Sequence, residues 1–299
     1  MAEPHDTRHD MVRIRSDALT AAINPFGAEL SHLEDADGRE LMTNADPAFW
    51  TGRAPLLFPI VGALNDDTLR VDGGAYRMGK HGFARKSLFE MVETGDSHAV
   101  FALEDSEQTR AQYPFAFRLE AAFRLTGATL AIDITIANRG DVTMPASFGF
   151  HPALAWPLPF GAAKEAHRIT FAAQEPGALK AIAADGTIAA ATVPSPLQDG
   201  YVLALHDDLF AHDALVWDPV HAQSVTYGAD TGPRLQVAFP DTPRLGIWTK
   251  PGARYVCIEP WHGIADPEGY TGDFRDKPGV FEVPVGGAKH IGMSITLAG

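Results

Sequence analysis

Three polar residues stand out in this sequence because each lies in apolar or glycine-rich surroundings. They are His81 in His-Gly-Phe-Ala-Arg, His151 in Phe-Gly-Phe-His-Pro, and Glu259 in Cys-Ile-Glu-Pro-Trp. Glycine lets the backbone approach a ligand closely, and apolar walls shift the pKa of an acid or base towards useful values. Each motif is weak alone, since an isolated histidine among apolar residues more often serves a structural hydrogen bond. Together they predict a small-molecule pocket with a general acid and a general base.

A strand must position the carboxylate. Side chains alternate between faces in an extended strand, so Tyr255, Cys257 and Glu259 are predicted on one face. Val256 and Ile258 then point into a core on the other face. We expect Glu259 at the end of this strand, within reach of solvent or a ligand. Trp261 follows with a flat apolar surface of the kind that a sugar ring can lie against.

The surrounding pattern predicts an all-β fold, a large antiparallel sandwich or barrel. Phe115–Leu125 and Leu130–Ile136 each alternate apolar and polar residues around a Gly127-Ala128 turn, which indicates an antiparallel hairpin. Val12–Ile23 also alternates, whereas Trp50–Gly62 is apolar, broken by prolines and predicted to be irregular and buried. Further strands are predicted at 168–171, 214–217, 224–227, 234–239, 245–248 and 290–297, with one short helix near 105–112 and a polar loop over 266–278.

Composition limits the possible partners. The chain has 299 residues and a formal net charge of -14, which argues against nucleic acid or an anionic membrane as a partner. No apolar run is long enough to span a bilayer, and Cys257 is the only cysteine, so no intramolecular disulfide can form. We predict a loose polar tail over residues 1–11, one domain over 12–299, and, in the absence of a signal-peptide pattern, a cytoplasmic protein. Whether it is a monomer or a homodimer stays open.

Five segments, in this order along the chain, resemble the aldose 1-epimerases, or galactose-mutarotase-like proteins. They are Asn24–Leu30, Pro55–Pro59, His81–Arg85, Phe150–Pro152 and Glu259–Trp261. Their form looks closest to a divergent branch that includes hexose-6-phosphate mutarotases, because the free-galactose enzymes usually carry an asparagine-rich motif around the first histidine.

The resemblance implies a β-supersandwich with a sugar on its concave face. It makes Glu259 the general base that takes the proton of the C1 hydroxyl, and His151 the general acid that protonates the ring oxygen. It makes His81 a residue that binds and polarises the sugar. Asp213 falls where the family often has an aspartate that binds a sugar hydroxyl, although a turn aspartate before a strand is an equal alternative. The reaction that it implies interconverts the α and β anomers of a hexose or hexose 6-phosphate, with no metal or redox cofactor.

Two arginines raise the question of a phosphorylated sugar. Arg53 and Arg85 could bind a phosphate or a sugar hydroxyl, because a guanidinium forms paired hydrogen bonds to planar anions. If an extended strand continues from His81, then residues 81, 83 and 85 share a face and Arg85 reaches the pocket. The alternative is that both arginines are neutralised inside the protein, for example by Glu29 or Asp213, and that the sugar is uncharged.

Two other functions fit the same residues. His81, His151 and Glu259 could form a two-histidine, one-carboxylate metal site, which metal analysis of the purified protein would detect. A non-catalytic sugar-binding or sugar-sensing protein is the second alternative, and a measurement of anomer exchange separates it from an enzyme.

Overall fold

We describe residues 10–240 and 242–299 of a computed structural model. The predicted loose tail falls almost entirely outside these residues; Asp10 and Met11 precede the first strand as exposed residues. Within the described ranges no helix is both long and apolar enough to cross a membrane.

Almost all regular structure in the described part of the chain is β-strand. The strands are, in chain order, β1 (Val12–Arg15), β2 (Leu19–Asn24), β3 (Glu29–Asp35), β4 (Leu56–Leu57), β5 (Thr68–Val71), β6 (Gly74–Arg77), β7 (Glu90–Thr94), β8 (His98–Glu104), β9 (Phe117–Thr126), β10 (Thr129–Asn138), β11 (Met144–Ala146), β12 (Phe148–Phe150), β13 (Ala153–Ala155), β14 (Arg168–Phe171), β15 (Leu179–Ile182), β16 (Ile188–Val193), β17 (Val202–Ala204), β18 (Leu215–Trp217), β19 (Ser224–Gly228), β20 (Arg234–Ala238), β21 (Arg244–Trp248), β22 (Tyr255–His262), β23 (Phe281–Val283) and β24 (Ala288–Ala298).

The helical segments are short. The α-helix α1 (Glu107–Arg110) begins at a capping box, in which the Ser106 and Thr109 side chains each accept the other residue's backbone N–H. The other helical segments among the described residues are five 3-10 turns, at Asn65–Asp67, Ala84–Lys86, Lys164–Ala166, Asp207–Phe210 and Phe274–Asp276.

Two large antiparallel sheets dominate the architecture. One has nine strands in the order β17-β14-β19-β20-β24-β10-β9-β8-β7. The other has eight, in the order β16-β15-β18-β21-β22-β12-β4 with β13 paired to β22. The strands β1-β2-β3 form a smaller sheet, and β5-β6 and β11-β23 form two-stranded pairs. The predicted all-β antiparallel sandwich is confirmed.

The main core lies between the two large sheets. Phe123 and Ile132, from β9 and β10 of the nine-stranded sheet, belong to the same buried cluster as Phe150 and Ile258 of the eight-stranded sheet. Only the inner faces of β9 and β10 are buried, which is the alternation that the hairpin pattern predicted. Beside Phe123, Ile132 and Phe150 this core leaves a cavity of only about 10 Å³, so we expect a ligand-sized pocket on an outer face of a sheet.

The structure differs in detail from two of the elements predicted from the sequence. Val12–Ile23 is not one strand, because Ser16 turns the chain between β1 and β2 and its hydroxyl accepts the backbone N–H of Leu19. The predicted polar loop over 266–278 is partly buried, because Asp266 and Lys277 are both buried.

Candidate active site

The strand β22 supplies the carboxylate of the candidate site. Val256 and Ile258 belong to the main core, whereas Tyr255 and Cys257 pack in a separate buried cluster on the opposite side of the sheet, as the alternation predicted. Glu259 shares that outer side but does not end the strand, because β22 continues to His262. Its carboxylate is therefore held within the sheet and is only 2% exposed.

His151 reaches Glu259 because the strands on either side of it pair with β22. Gly149 on β12 pairs with Trp261, and Ala153 on β13 pairs with Cys257, so the histidine between them lies opposite the carboxylate. His151 Nε2 lies 3.2 Å from Glu259 Oε2, and both side chains are buried. Two of the three motif residues are thus in direct contact.

Burial sets the protonation of this pair. It raises the pKa of Glu259 well above its usual value; the nearby charge of Asp213 raises it further, and that of Lys80 opposes the shift. Burial also lowers the pKa of His151 to about 3. Both groups therefore favour the uncharged form, which is a carboxylic acid beside a neutral imidazole. In this form one transferable proton lies between the two groups across the 3.2 Å contact. Moving that proton to the imidazole would give a carboxylate beside an imidazolium, with no change in the total number of protons.

His81 lies on the other side of His151, with the two ring centroids 5.8 Å apart. It occupies a turn with a φ of 68°, and its Nδ1 accepts the backbone N–H of Gly62 at 3.1 Å. Burial is the largest cause that lowers the pKa of His81 well below its usual value. Because Nδ1 of this neutral ring is an acceptor, the ring proton is on Nε2. His81 can therefore donate a hydrogen bond through Nε2–H while keeping its proton, whereas a general acid transfers its proton to the substrate.

Gly82 allows the His81 turn to pack so tightly. It has a φ of 70°, and a Cβ atom at this position would lie 2.2 Å from the Phe58 carbonyl oxygen. The backbone N–H of Phe83 donates to that same oxygen. A side chain at position 82 would push the His81 turn away from the segment that carries Gly62.

Aromatic side chains form the walls around the pair. The ring centroid of Trp50 lies 4.9 Å from that of His151, and Trp248 lies 5.9 Å from it. The indole of Trp261 lies against the two strands that flank β22, next to Gly149 on β12 and Gly246 on β21. A methyl group on Gly149 would lie 2.6 Å from the indole, and one on Gly246 would lie 2.5 Å from it. The glycines thus let this indole lie close against the sheet.

A pocket of about 230 Å³ opens above these residues. His81, His151, Glu259 and Trp261 all line it, so the structure brings together the four residues singled out by the motifs. The remaining walls come from several parts of the chain: Trp50, Val61, Gly62, Lys80, Arg85, Ile182, Gly186, Ile188, Asp213, Ala214, Trp248 and Ala265.

Asp213 is exposed where it lines this pocket. It has a φ of 81°, and its Oδ1 accepts the backbone N–H of Ala214. The residue therefore has both of the properties that the sequence suggested: it is a turn aspartate before a strand, and it faces the pocket.

The two arginines have different positions. Arg53 does not line the pocket that contains Glu259; its guanidinium donates to the carbonyl oxygens of Ser31 and Thr43. Arg85 does line that pocket, and its Nε is buried without a hydrogen-bond partner. Glu29 is close enough to both guanidiniums for their charges to lower its pKa, although burial raises it more.

The strand geometry expected for Arg85 is wrong. Residues 81, 83 and 85 do not share a face, because His81 is in a left-handed turn and Ala84–Lys86 is a 3-10 turn. Phe83 instead packs in the core, with its ring edge-on to that of Phe58. Arg85 thus reaches the pocket by a helical turn and not by strand alternation.

The sequence motifs missed several parts of the wall. Trp248 ends β21, which pairs with β22, and an aromatic residue at the end of a predicted strand was the only available signal. Ile182, Gly186 and Ile188 come from the β15–β16 hairpin, within a segment rich in alanine and glycine that has no clear pattern. These residues approach the site through pairing of β15 with β18, which sequence spacing does not reveal.

The two-histidine, one-carboxylate set that we considered as an alternative is not the set of metal donors that the geometry groups. Among the described residues, the donors around Glu259 that lie within 4.8 Å of one another are those of His151 and Cys257. Nδ1 of His81 is already an acceptor for the Gly62 N–H.

Comparison with known proteins identifies the family of this chain. Residues 10–269 match the family described as Aldose 1-epimerase. The chain belongs to the aldose 1-epimerase family. It is also 30% identical over 281 residues to the chromosomal protein LacX of Lactococcus lactis subsp. lactis, covering 91% of this chain and 94% of LacX.

Solved structures of related proteins share the fold. A galactose mutarotase related enzyme from Lactobacillus acidophilus is 31% identical, with a TM-score of 0.89 and 97% of each chain covered. A galactose mutarotase-like protein from Lactobacillus casei ATCC 334 is 27% identical, with a TM-score of 0.90 and coverage of 96% of this chain and 99% of that one. This aldose 1-epimerase family member therefore has the galactose-mutarotase-like β-sandwich that its motifs predicted.

Proposed function

We propose that this protein is an aldose 1-epimerase that interconverts the α and β anomers of a hexose or a hexose 6-phosphate. The observation that carries the proposal is the contact between His151 Nε2 and Glu259 Oε2 at 3.2 Å, in a pocket that is also lined by Trp261 and His81. A sugar-binding protein without catalytic activity has no need for an acid and a base in contact with each other.

The proposed reaction uses the single proton that this pair holds. The shared proton first passes from Glu259 to His151 across their contact. Glu259, now a carboxylate, takes the proton of the C1 hydroxyl while the bond between C1 and the ring oxygen breaks. The electron pair of that bond goes to the ring oxygen, which takes a proton from the His151 imidazolium. The open aldehyde rotates about its C1–C2 bond, and the reverse steps close the ring to the other anomer. General acid and base catalysis each contribute about 10²–10⁴-fold to such a reaction.

The other pocket residues have supporting roles in this proposal. The Nε2–H of His81 donates a hydrogen bond to a sugar oxygen, and Trp261 offers an apolar surface to the ring. Lys80 and Asp213 at the pocket opening can bind hydroxyl groups. The direct test is anomer exchange by NMR over a panel of free and phosphorylated hexoses. Binding of a sugar without any acceleration of its exchange would favour the sugar-binding alternative.

The position of Trp261 gives a prediction about substrate affinity. Gly246→Ala places a methyl group 2.5 Å from the indole and should displace it. We expect the KM for the sugar to rise by about two- to twelvefold, because a lost aromatic contact is worth roughly 0.5–1.5 kcal/mol. Steady-state exchange kinetics would measure this change.

Gly177→Ala is the matched control for this substitution. A Cβ atom at Gly177 meets nothing within 4 Å, and neither glycine has a positive φ. An unchanged KM in Gly246→Ala would mean that the indole does not contact the sugar.

Arg85 supports a phosphorylated substrate within this proposal. It lines the pocket with a buried Nε that has no hydrogen-bond partner, and burial lowers its pKa. Arg85 as a whole is half-buried, but a buried guanidinium nitrogen without a hydrogen-bond partner carries a desolvation cost that an anionic ligand would offset. Lys80 also lines the pocket and forms no ion pair with any described residue.

The test compares glucose with glucose 6-phosphate in the wild type and in Arg85→Ala. A phosphate site predicts a wild-type preference for the phosphosugar that largely disappears in the variant and weakens with salt. Lys86→Ala is the control, since this exposed neighbour does not line the pocket. Equal losses for both sugars in Arg85→Ala would instead assign Arg85 to a structural or hydroxyl-binding role.

A further inference from the structure

Cys257 lies beside the acid–base pair but takes no part in the proposed proton transfers. Its Sγ, a ring nitrogen of His151 and a carboxylate oxygen of Glu259 all lie within 4.8 Å of one another. The thiol is fully buried in the described structure and makes no hydrogen bond there. His151 is also more than nine-tenths buried, and its Nδ1 has no hydrogen-bond partner.

These three donors are a suitable set for zinc. Thiolate, imidazole and carboxylate all bind Zn²⁺, at about 2.3, 2.0 and 2.0–2.2 Å respectively. Tetrahedral geometry at those bond lengths separates the donor atoms by roughly 3.3–3.6 Å. His151 Nε2 and Glu259 Oε2 are already 3.2 Å apart. Because its distance to either of the other two donors is at most 4.8 Å, the Cys257 sulfur needs to move by roughly 1.2–1.5 Å at most.

The arrangement leaves one coordination position open. His151 and Glu259 line the pocket, whereas Cys257 does not, so an ion would enter through the pocket and meet the thiol last. Three protein ligands with the fourth position open are typical of accessible zinc sites. The sulfur ligand selects against Mg²⁺ and Ca²⁺, which prefer oxygen.

We propose that His151, Cys257 and Glu259 form an inhibitory zinc site, in which one Zn²⁺ ion binds both groups that move protons and displaces the sugar. The binding of the ion is independent of the proposed activity, whereas its inhibitory effect rests on the proposed epimerase function. Zinc and sugar compete in this arrangement, because both need the side of the His151–Glu259 pair that faces the pocket.

The first experiment measures binding without reference to activity. Metal-free full-length protein is titrated with Co²⁺, which takes zinc sites and gives a thiolate-to-cobalt charge-transfer band in the near ultraviolet. We expect the band to saturate at about one equivalent in the wild type and to be absent in Cys257→Ala and Cys257→Ser. Thermal unfolding of both variants checks that they are folded. A wild type without this band overturns the proposal, whether or not the protein is an epimerase.

The second experiment measures inhibition of anomer exchange by Zn²⁺. We expect inhibition that is competitive with sugar, reversed by EDTA, and weakened at least tenfold in Cys257→Ala, with an unchanged rate in the absence of zinc. Glu34→Gln is the control, because His32, Glu34 and Glu40 are the other group of donors within 4.8 Å among the described residues. Equal sensitivity of the wild type and Cys257→Ala, or loss of sensitivity in Glu34→Gln, would overturn the assignment to Cys257.

Discussion

Replacing Glu259 by glutamine is expected to lower catalysed anomer exchange by about two orders of magnitude or more, with sugar binding largely retained. Glutamine keeps the size of the side chain but cannot take the C1 hydroxyl proton. The measurement is NMR exchange at saturating sugar, together with calorimetric binding of the same sugar. Glu268→Gln is the control, because this exposed glutamate lies on the loop after β22, the strand that carries Glu259. Exchange at the wild-type rate in Glu259→Gln would contradict the assigned base.

The contact between Glu259 and His151 makes a second outcome specific. Groups that act as one unit have strongly non-additive effects when they are removed. We therefore expect the double variant Glu259→Gln/His151→Gln to lose little more activity than the worse single variant. Fully additive losses would mean that the two residues act independently, in spite of their 3.2 Å contact.

The sequence predicted side-chain positions best along the strand β22, where one alternating pattern assigns several residues to opposite faces of the sheet. Alternation along β22 placed Val256 and Ile258 in the core and Glu259 on the opposite side of the sheet, because a strand with one core-facing side has little freedom of register. The approach of His151 to Glu259 required pairing of β12 and β13 with β22, across about a hundred residues. In the sequence, only the joint occurrence of the motifs predicted that the two residues share a pocket, and their direct contact was not predicted.

Arg53 and Arg85 show where local patterns fail. Their sequence contexts did not reveal that the Arg53 guanidinium donates to two backbone carbonyls, or that a left-handed turn at His81 changes the direction of the chain before Arg85. Trp248 and the β15–β16 hairpin enter the pocket through pairing between distant strands. Such positions depend on tertiary structure, which residue periodicity does not encode.

A buried ion pair in the loop after β22 could not be predicted from the sequence either. Lys277 Nζ lies 3.0 Å from Asp266 Oδ1, and the two side chains are 0% and 4% exposed. Oδ2 of Asp266 accepts the backbone N–H of Asn65 at 2.9 Å. The Asp266 backbone donates to the Ala63 carbonyl, and its own carbonyl accepts the N–H of Ile188. Since Ile188 and Ala265 line the pocket, this pair holds part of the pocket wall in place.

Asp266→Asn is therefore expected to lower the free energy of unfolding by about 3–5 kcal/mol, since it leaves the charge of Lys277 buried without compensation. The ammonium makes no well-aligned hydrogen bond in the described structure, and burial already lowers its pKa. Chemical denaturation measures the loss, and the KM for the sugar should rise in the same variant as the wall loosens.

Asp230→Asn is the matched control, because it breaks an exposed ion pair with Arg168 and should cost about 0–1 kcal/mol. The double variant Asp266→Asn/Lys277→Met removes both charges and should recover much of the stability. If it is as unstable as the sum of the two single variants, the ion pair is not what stabilises this loop.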